Sequence, residues 1–265
     1  MMTIIAERIN MTRKAIREKV WERDADFIIA EVKAQEAAGA THIDINAGGD
    51  PAREIDDMIW LTEIISKATE LPLSFDSPNA AALEAGLKIC NRPGTIINSI
   101  TLETDRVNNT LPLILKYNTG IIALTMDDSG MPETLEGRCK LIDEICNLMK
   151  KNNIALDRVY IDTLVRPLST NPDQVKYTIE SFRYLKNKYP ECHTMCGLSN
   201  VSFGVPQRIH VNRAFFVLLL EAGLDGAIID PRAEGMMGIM YAALALIGKD
   251  EFCMNYITAH EKGHL

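Results

Sequence analysis

The chain has 265 residues, 47 % of them hydrophobic, and a formal net charge of −8 at pH 7. That is enough apolar material for a large core without staples, and an acidic chain with no Lys/Arg run is not built to bind a nucleic-acid backbone. No apolar run approaches the roughly 20 residues needed to cross a bilayer, and the N-terminal MMTIIAERIN reaches a charge by Glu7, unlike a secretory signal. The expectation is a cytoplasmic protein whose six cysteines are reduced thiols.

In chain order, β-rich apolar runs alternate with stretches of helical apolar spacing. Thr3 to Ile9 reads as a strand and Ala25 to Ala38 as a helix; Thr41 to Ala47 is followed by a helix over Arg53 to Thr69, and Pro72 to Ser77 by one over Ala80 to Cys90. Strands over Thr95 to Ile100, Gly120 to Met126 and Arg158 to Thr163 precede helices over Thr104 to Asn118, Thr134 to Asn152 and Pro172 to Tyr189. Strands over His193 to Asn200 and Leu224 to Asp230 precede helices over Arg208 to Ala222 and Glu234 to Ile247. Gly39 and Gly223 fall where a helix needs a left-handed C-terminal residue, and Ser77-Pro78 reads as an N-cap followed by proline. Eight strand-helix units in a chain of this length, with no GxGxxG or GxxxxGK[ST] turn, predict a single (β/α)8 TIM barrel spanning residues 1–265.

The active site of such a barrel forms where its strands end, and here those ends are polar. They read Glu7-Arg8-Ile9-Asn10, Asp44-Ile45-Asn46, Asp76-Ser77, Asn98-Ser99, Asp162-Thr163, Ser199-Asn200 and Asp230. Helix capping accounts for such residues singly and explains Ser77 better than Asp76. Asp44, Asp76, Asn98 and Asp162, by contrast, sit inside or at the immediate end of a strand, before the loop in which a cap belongs. The set offers carboxylates and amides with few cations and lacks the three-residue His/Cys set of a catalytic metal. A carboxylate accepting from adjacent N–H groups gains about 1.5–3 kcal/mol per charge-assisted bond, and an asparagine amide both donates and accepts. Such a rim fits a neutral heterocycle rich in N–H donors, of which the 2-amino-4-oxo edge of a pterin is an example.

The segments Ala6-Glu7-Arg8-Ile9-Asn10, Ile43-Asp44-Ile45-Asn46-Ala47-Gly48, Ser74-Phe75-Asp76-Ser77, Ile97-Asn98-Ser99, Leu124-Thr125-Met126, Tyr160-Ile161-Asp162 and Gly197-Leu198-Ser199-Asn200-Val201-Ser202 stand in this order. In that combination, over nearly the whole chain, the sequence resembles the pterin-binding methyltransferases that move a methyl group between methyltetrahydrofolate and a corrinoid protein. The resemblance implies that Asp76, Asn98 and Asp162 grip the pyrimidine edge and that Asp44 helps directly or through water; Gly197, as a glycine at a polar strand end, is expected to permit close approach to a flat ligand. The resemblance places Asn200 beside N5, the nitrogen carrying the methyl group. By position alone, Ser199 and Met126 at their strand ends are lining candidates, core filler being the alternative reading of a methionine. The resemblance also implies a homodimer without a catalytic metal of its own, and a corrinoid on a separate partner protein, with Co(I) as nucleophile in one direction and methyl-Co(III) as donor in the other. Because N5 leaves poorly unless it gains positive charge by the transition state, the neutral Asn200 is assigned polarisation and positioning rather than proton donation.

A dihydropteroate synthase shares the barrel and pterin pocket but needs a lysine and a closing Arg-x-His for pyrophosphate, where this chain has only Arg232 in Asp230-Pro231-Arg232-Ala233-Glu234. A noncatalytic folate-binding module would keep the grip and need no residue at N5, against which Asn200 weighs. The tail His260-Glu261-Lys262-Gly263-His264 matches the HExxH zinc pattern by letter, but that motif needs a continuous helix and a third ligand; a frayed tail is expected instead.

Overall fold

The computed structural model describes residues 2–265. Eight parallel strands close in sequence order into a barrel: β1 (Thr3–Ala6), β2 (His42–Asn46), β3 (Leu73–Asp76), β4 (Ile96–Ile100), β5 (Gly120–Leu124), β6 (Val159–Asp162), β7 (His193–Gly197) and β8 (Gly226–Ile229). Closure pairs Thr3 with Gly226 and Ala6 with Ile229. Arg8, just past β1, ties the seam by donating to Asp230 at 2.8 Å and to Glu31 at 2.7 Å.

The helices among the described residues are α1 (Lys14–Trp21), α2 (Ala25–Ala37), α3 (Glu54–Ala68), α4 (Ala80–Ile89), α5 (Thr104–Tyr117), α6 (Leu135–Lys151), α7 (Asp173–Lys188), α8 (Arg208–Glu221), α9 (Met236–Leu246) and α10 (Met254–Glu261). None is long and apolar enough to cross a membrane. Eight of them match the predicted helices to within two residues, and Gly39 and Gly223 take φ of +96° and +100°, as helix-ending residues do. The cap of α4 differs from expectation: Asn79 accepts from the Ala81 N–H at 3.0 Å, while Ser77 accepts from the Asn79 N–H and donates to Glu54.

The helices α1 and α10 lie outside the predicted set. The eight-residue α1 buries only Ile16 and Val20, one turn apart, so it leaves a faint periodicity. At the other end α10 replaces the expected frayed tail: Asp250 caps it through the N–H groups of Asn255 and Tyr256, and Ala259 is buried. Gly263, at φ +72°, ends it before His264, so His260 and His264 are not stacked on one helical face.

Side chains along a strand alternate between the helices and the barrel axis. Ile43, Ile45, Phe75, Ile97, Ile121, Ala123 and Ile161 join the large core under the helices. Ile5, Ile96, Ile122 and Met195, with Leu124, Tyr160 and Ile228 against them, form a separate plug on the axis. The same alternation turns Asp44, Asn46, Ser74, Asp76, Asn98 and Asp162 inward. On the helix side the fit is close: a Cβ added at Gly86 of α4 would lie 2.5 Å from the Phe75 ring. Gly86→Ala is expected to destabilise the fold by about 1–3 kcal/mol through overpacking, read as a fall in the thermal unfolding midpoint.

Candidate functional site

The inward residues form two groups on the C-terminal rim. On β2, β3 and β4, Asp44 Oδ1 accepts from Ser74 Oγ at 2.7 Å and from Asn98 Nδ2 at 3.5 Å. Asn46 Nδ2 donates to Asp76 Oδ2 at 2.8 Å, and Asp76 stands opposite Asn98 in register. Burial pushes the Asp44 carboxyl well above the usual carboxylate range, with Asp76 adding repulsion. Burial also raises Asp76, against the Asn46 hydrogen bond and the nearby Arg106 guanidinium. A buried carboxyl (Asp44) and a half-buried one (Asp76), neither ion-paired among the described residues, thus face the axis, chemistry suited to accepting from N–H donors of a neutral ring.

On β6 and β7, the Leu164 N–H donates to Asp162 Oδ1 at 2.7 Å and the Gly197 N–H to Oδ2 at 3.3 Å. Burial pushes the Asp162 carboxyl up to about 6, opposed by these two N–H groups and by Arg138. Each carboxylate oxygen keeps a free lone pair, so Asp162 can still accept from a ligand.

The predicted strand over His193 to Asn200 stops at Gly197, and Leu198–Ser202 is a 3-10 turn. The chain turns here because the Phe203 N–H takes the Asn200 carbonyl at 3.1 Å, while Ser202 Oγ and Arg208 both donate to the Ser199 carbonyl. Ser199 therefore serves the turn with its backbone, and the Asn200 side chain stands exposed above the strand end. At Gly197 a Cβ would lie 3.3 Å from Asn200 Nδ2, so the glycine leaves room for that amide. Met126 lies past β5, half-buried, its carbonyl accepting from the Leu102 N–H at 2.8 Å.

Asn46 stood among the polar strand ends without an assigned role, and Ser74 and Arg138 were not among the candidate residues. Asn46 and Ser74 had a signal, since each lies two positions from a candidate aspartate and must share its face. Arg138 had another: it occupies the core-facing stripe of α6 with Leu141, Ile142, Ile145, Cys146 and Met149. Arg232 is spent outside the rim, 2.9 Å from Glu31. A cavity of about 640 Å³ lies at the opposite pole, among Met2, Ile4, Leu224, Met240 and Leu244. Its acids are engaged within the fold, Asp225 with Lys186 and Asp250 with α10, so the rim remains the site with free acceptors.

The profile of the family described as pterin binding enzyme matches residues 6–230. A methylcorrinoid:tetrahydrofolate methyltransferase of Eubacterium limosum is 35 % identical over 269 aligned positions, covering all of this chain and 98 % of the relative. The methionine synthase of Mycobacterium tuberculosis is 29 % identical over 85 % of this chain, which spans a fifth of that enzyme. Among solved structures, dihydropteroate synthases of Xanthomonas albilineans and Yersinia pestis superpose with TM-scores of 0.70 and 0.67 at 16 and 17 % identity. The former covers 93 % of this chain and 94 % of its own, the latter 92 % and 93 %, a likeness of fold alone. With the inward carboxyls, the closed barrel and a profile running from β1 to the end of β8, the chain belongs to the pterin-binding enzyme family.

Proposed function

We propose that the protein is a methyltransferase moving a methyl group between N5 of tetrahydrofolate and the cobalt of a corrinoid carried by a partner protein. The observation that carries the reading is the pairing of an inward carboxylate set with the Asn200 amide standing free beside Gly197. Full-length similarity to the Eubacterium limosum enzyme supports it. In this reading residues 1–265 act as a single pterin-binding domain in the cytoplasm. The protein is a homodimer, for which exposed Leu218 and Leu246 offer apolar surface.

Asp76, Asn98 and Asp162 take the pyrimidine edge, and Asp44 holds Asn98 from behind, through the Nδ2 contact at 3.5 Å. Asn200 turns its carbonyl oxygen toward N5 as that nitrogen takes a proton from water, stabilising the leaving form. The corrinoid supplies the methyl acceptor or donor. Nothing in the rim fixes direction, since the same transition state is crossed both ways.

Asp162 accepts from the ring only as a carboxylate, so its protonation should weaken folate binding. Affinity is then full above neutrality and declines as pH drops through about 6, by roughly tenfold per pH unit below the midpoint. Isothermal titration of methyltetrahydrofolate between pH 5 and 8 checks this; a flat profile removes Asp162 from the grip. For the activity, methyltetrahydrofolate with a reduced corrinoid is compared with dihydropterin pyrophosphate and p-aminobenzoate. Turnover of the first pair alone is expected, and turnover of the second would establish the synthase instead.

A further inference from the structure

We propose that Arg138 is a positioning residue that aims the Asp162 carboxylate from behind the barrel wall, an inference that rests on reading the rim as the folate site. Arg138 is 1 % exposed and is the largest fully buried side chain among the described residues. It donates to the Thr163 carbonyl at 2.9 Å, to Thr178 Oγ1 at 3.0 Å and to Gln174 Oε1, and its Nε has no partner. No carboxylate lies within salt-bridge distance of it among the described residues. A buried guanidinium without an ion-pair partner is costly, and an apolar residue would satisfy the α6 stripe. Its location supplies a reason to keep it.

The Thr163 carbonyl that Arg138 holds and the Leu164 N–H that holds Asp162 Oδ1 belong to one planar peptide group. Fixing one end fixes the other. Leu164 has φ +60°, a left-handed conformation that a branched apolar residue seldom takes unless its surroundings impose it. The clamp therefore runs from α6 through this peptide to the carboxylate, while the Gly197 N–H holds the second oxygen from β7. Other ionisable groups near this unit are few. Cys196 on β7 is a buried thiol pushed up by burial and by Asp162, and Arg166 pairs with Glu133 at 2.6 Å, acting on Arg138 rather than on Asp162.

The test is folate affinity as a function of pH, with single-turnover methyl transfer at saturating folate. Arg138→Met should raise the folate Kd by about tenfold and shift the acid limb of binding to higher pH, leaving the saturated rate within about twofold. Arg138→Lys, which keeps the charge but not the fork, should raise Kd by about threefold with the limb unmoved. Thr178→Val removes an Arg138 partner without touching the Thr163 peptide, and should lower the unfolding temperature while leaving Kd and limb unchanged. A folded Arg138→Met or Arg138→Lys protein with wild-type Kd overturns the proposal, and so does Thr178→Val weakening folate as much as Arg138→Met. If the wild type binds no folate, the folate reading fails but the clamp is still readable by 13C NMR of the Asp162 carboxyl. In Arg138→Lys, which keeps the charge, the carboxylate resonance above pH 8 shifts if the clamp acts, because the Leu164 N–H bond to Asp162 Oδ1 loosens, and stays in place if it does not.

Discussion

Asn200→Ala is expected to slow methyl transfer by about 10²-fold or more, about 2.7 kcal/mol of transition-state stabilisation, while folate still binds measurably. The reasoning separates ground state from transition state. Before transfer N5 is a weakly basic amine that gains little from an amide, whereas in the transition state it carries a proton whose positive charge the Asn200 carbonyl oxygen meets. The side chain is exposed and projects from a 3-10 turn held by its backbone, so truncation removes few packing contacts. A single-turnover rate equal to wild type would remove Asn200 from the chemistry. A loss confined to affinity would make it another grip residue.

Asp162→Ala and Asp76→Ala should act on binding instead, each raising the folate Kd by about 10²-fold or more through lost charge-assisted bonds to the ring. The two differ in their side effects. Asp162 also receives the Leu164 and Gly197 N–H groups, so its removal leaves two part-buried donors without this partner and should lower thermal stability too. Among the described residues Asp76 receives a single side-chain donor, Asn46 Nδ2, and its loss relieves a carboxyl pushed up by its surroundings, so the variant should be as stable as wild type or more so. Isothermal titration giving wild-type affinity for both would dismantle the pterin grip.

The barrel was legible in the sequence because each strand is a short apolar run with a helix of clear period behind it, and the count of eight leaves few ways to close a sheet. The rim aspartates were legible for a related reason: a carboxylate within an apolar strand has no local explanation. Less visible was anything set by tertiary hydrogen bonding. The end of β7 reads as strand through Asn200, yet the Ser199 and Asn200 carbonyls are taken by Arg208, Ser202 and Phe203, and the chain turns after Gly197. Likewise Ser77 carries cap chemistry but spends its hydroxyl on Glu54 and Asn79, leaving the cap to Asn79. Arg138 was visible as a cation in an apolar stripe, but its partners, the Thr163 carbonyl, Thr178 and Gln174, are brought to it only by the fold.

The most direct test of the central claim is a crystal structure of the protein with methyltetrahydrofolate. The Asn200 side chain should lie within about 3.2 Å of N5, with the pyrimidine edge on Asp76, Asn98 and Asp162. A pterin bound at the rim with N5 turned away from Asn200, or bound at the opposite pole beside Met240 and Leu244, would contradict it.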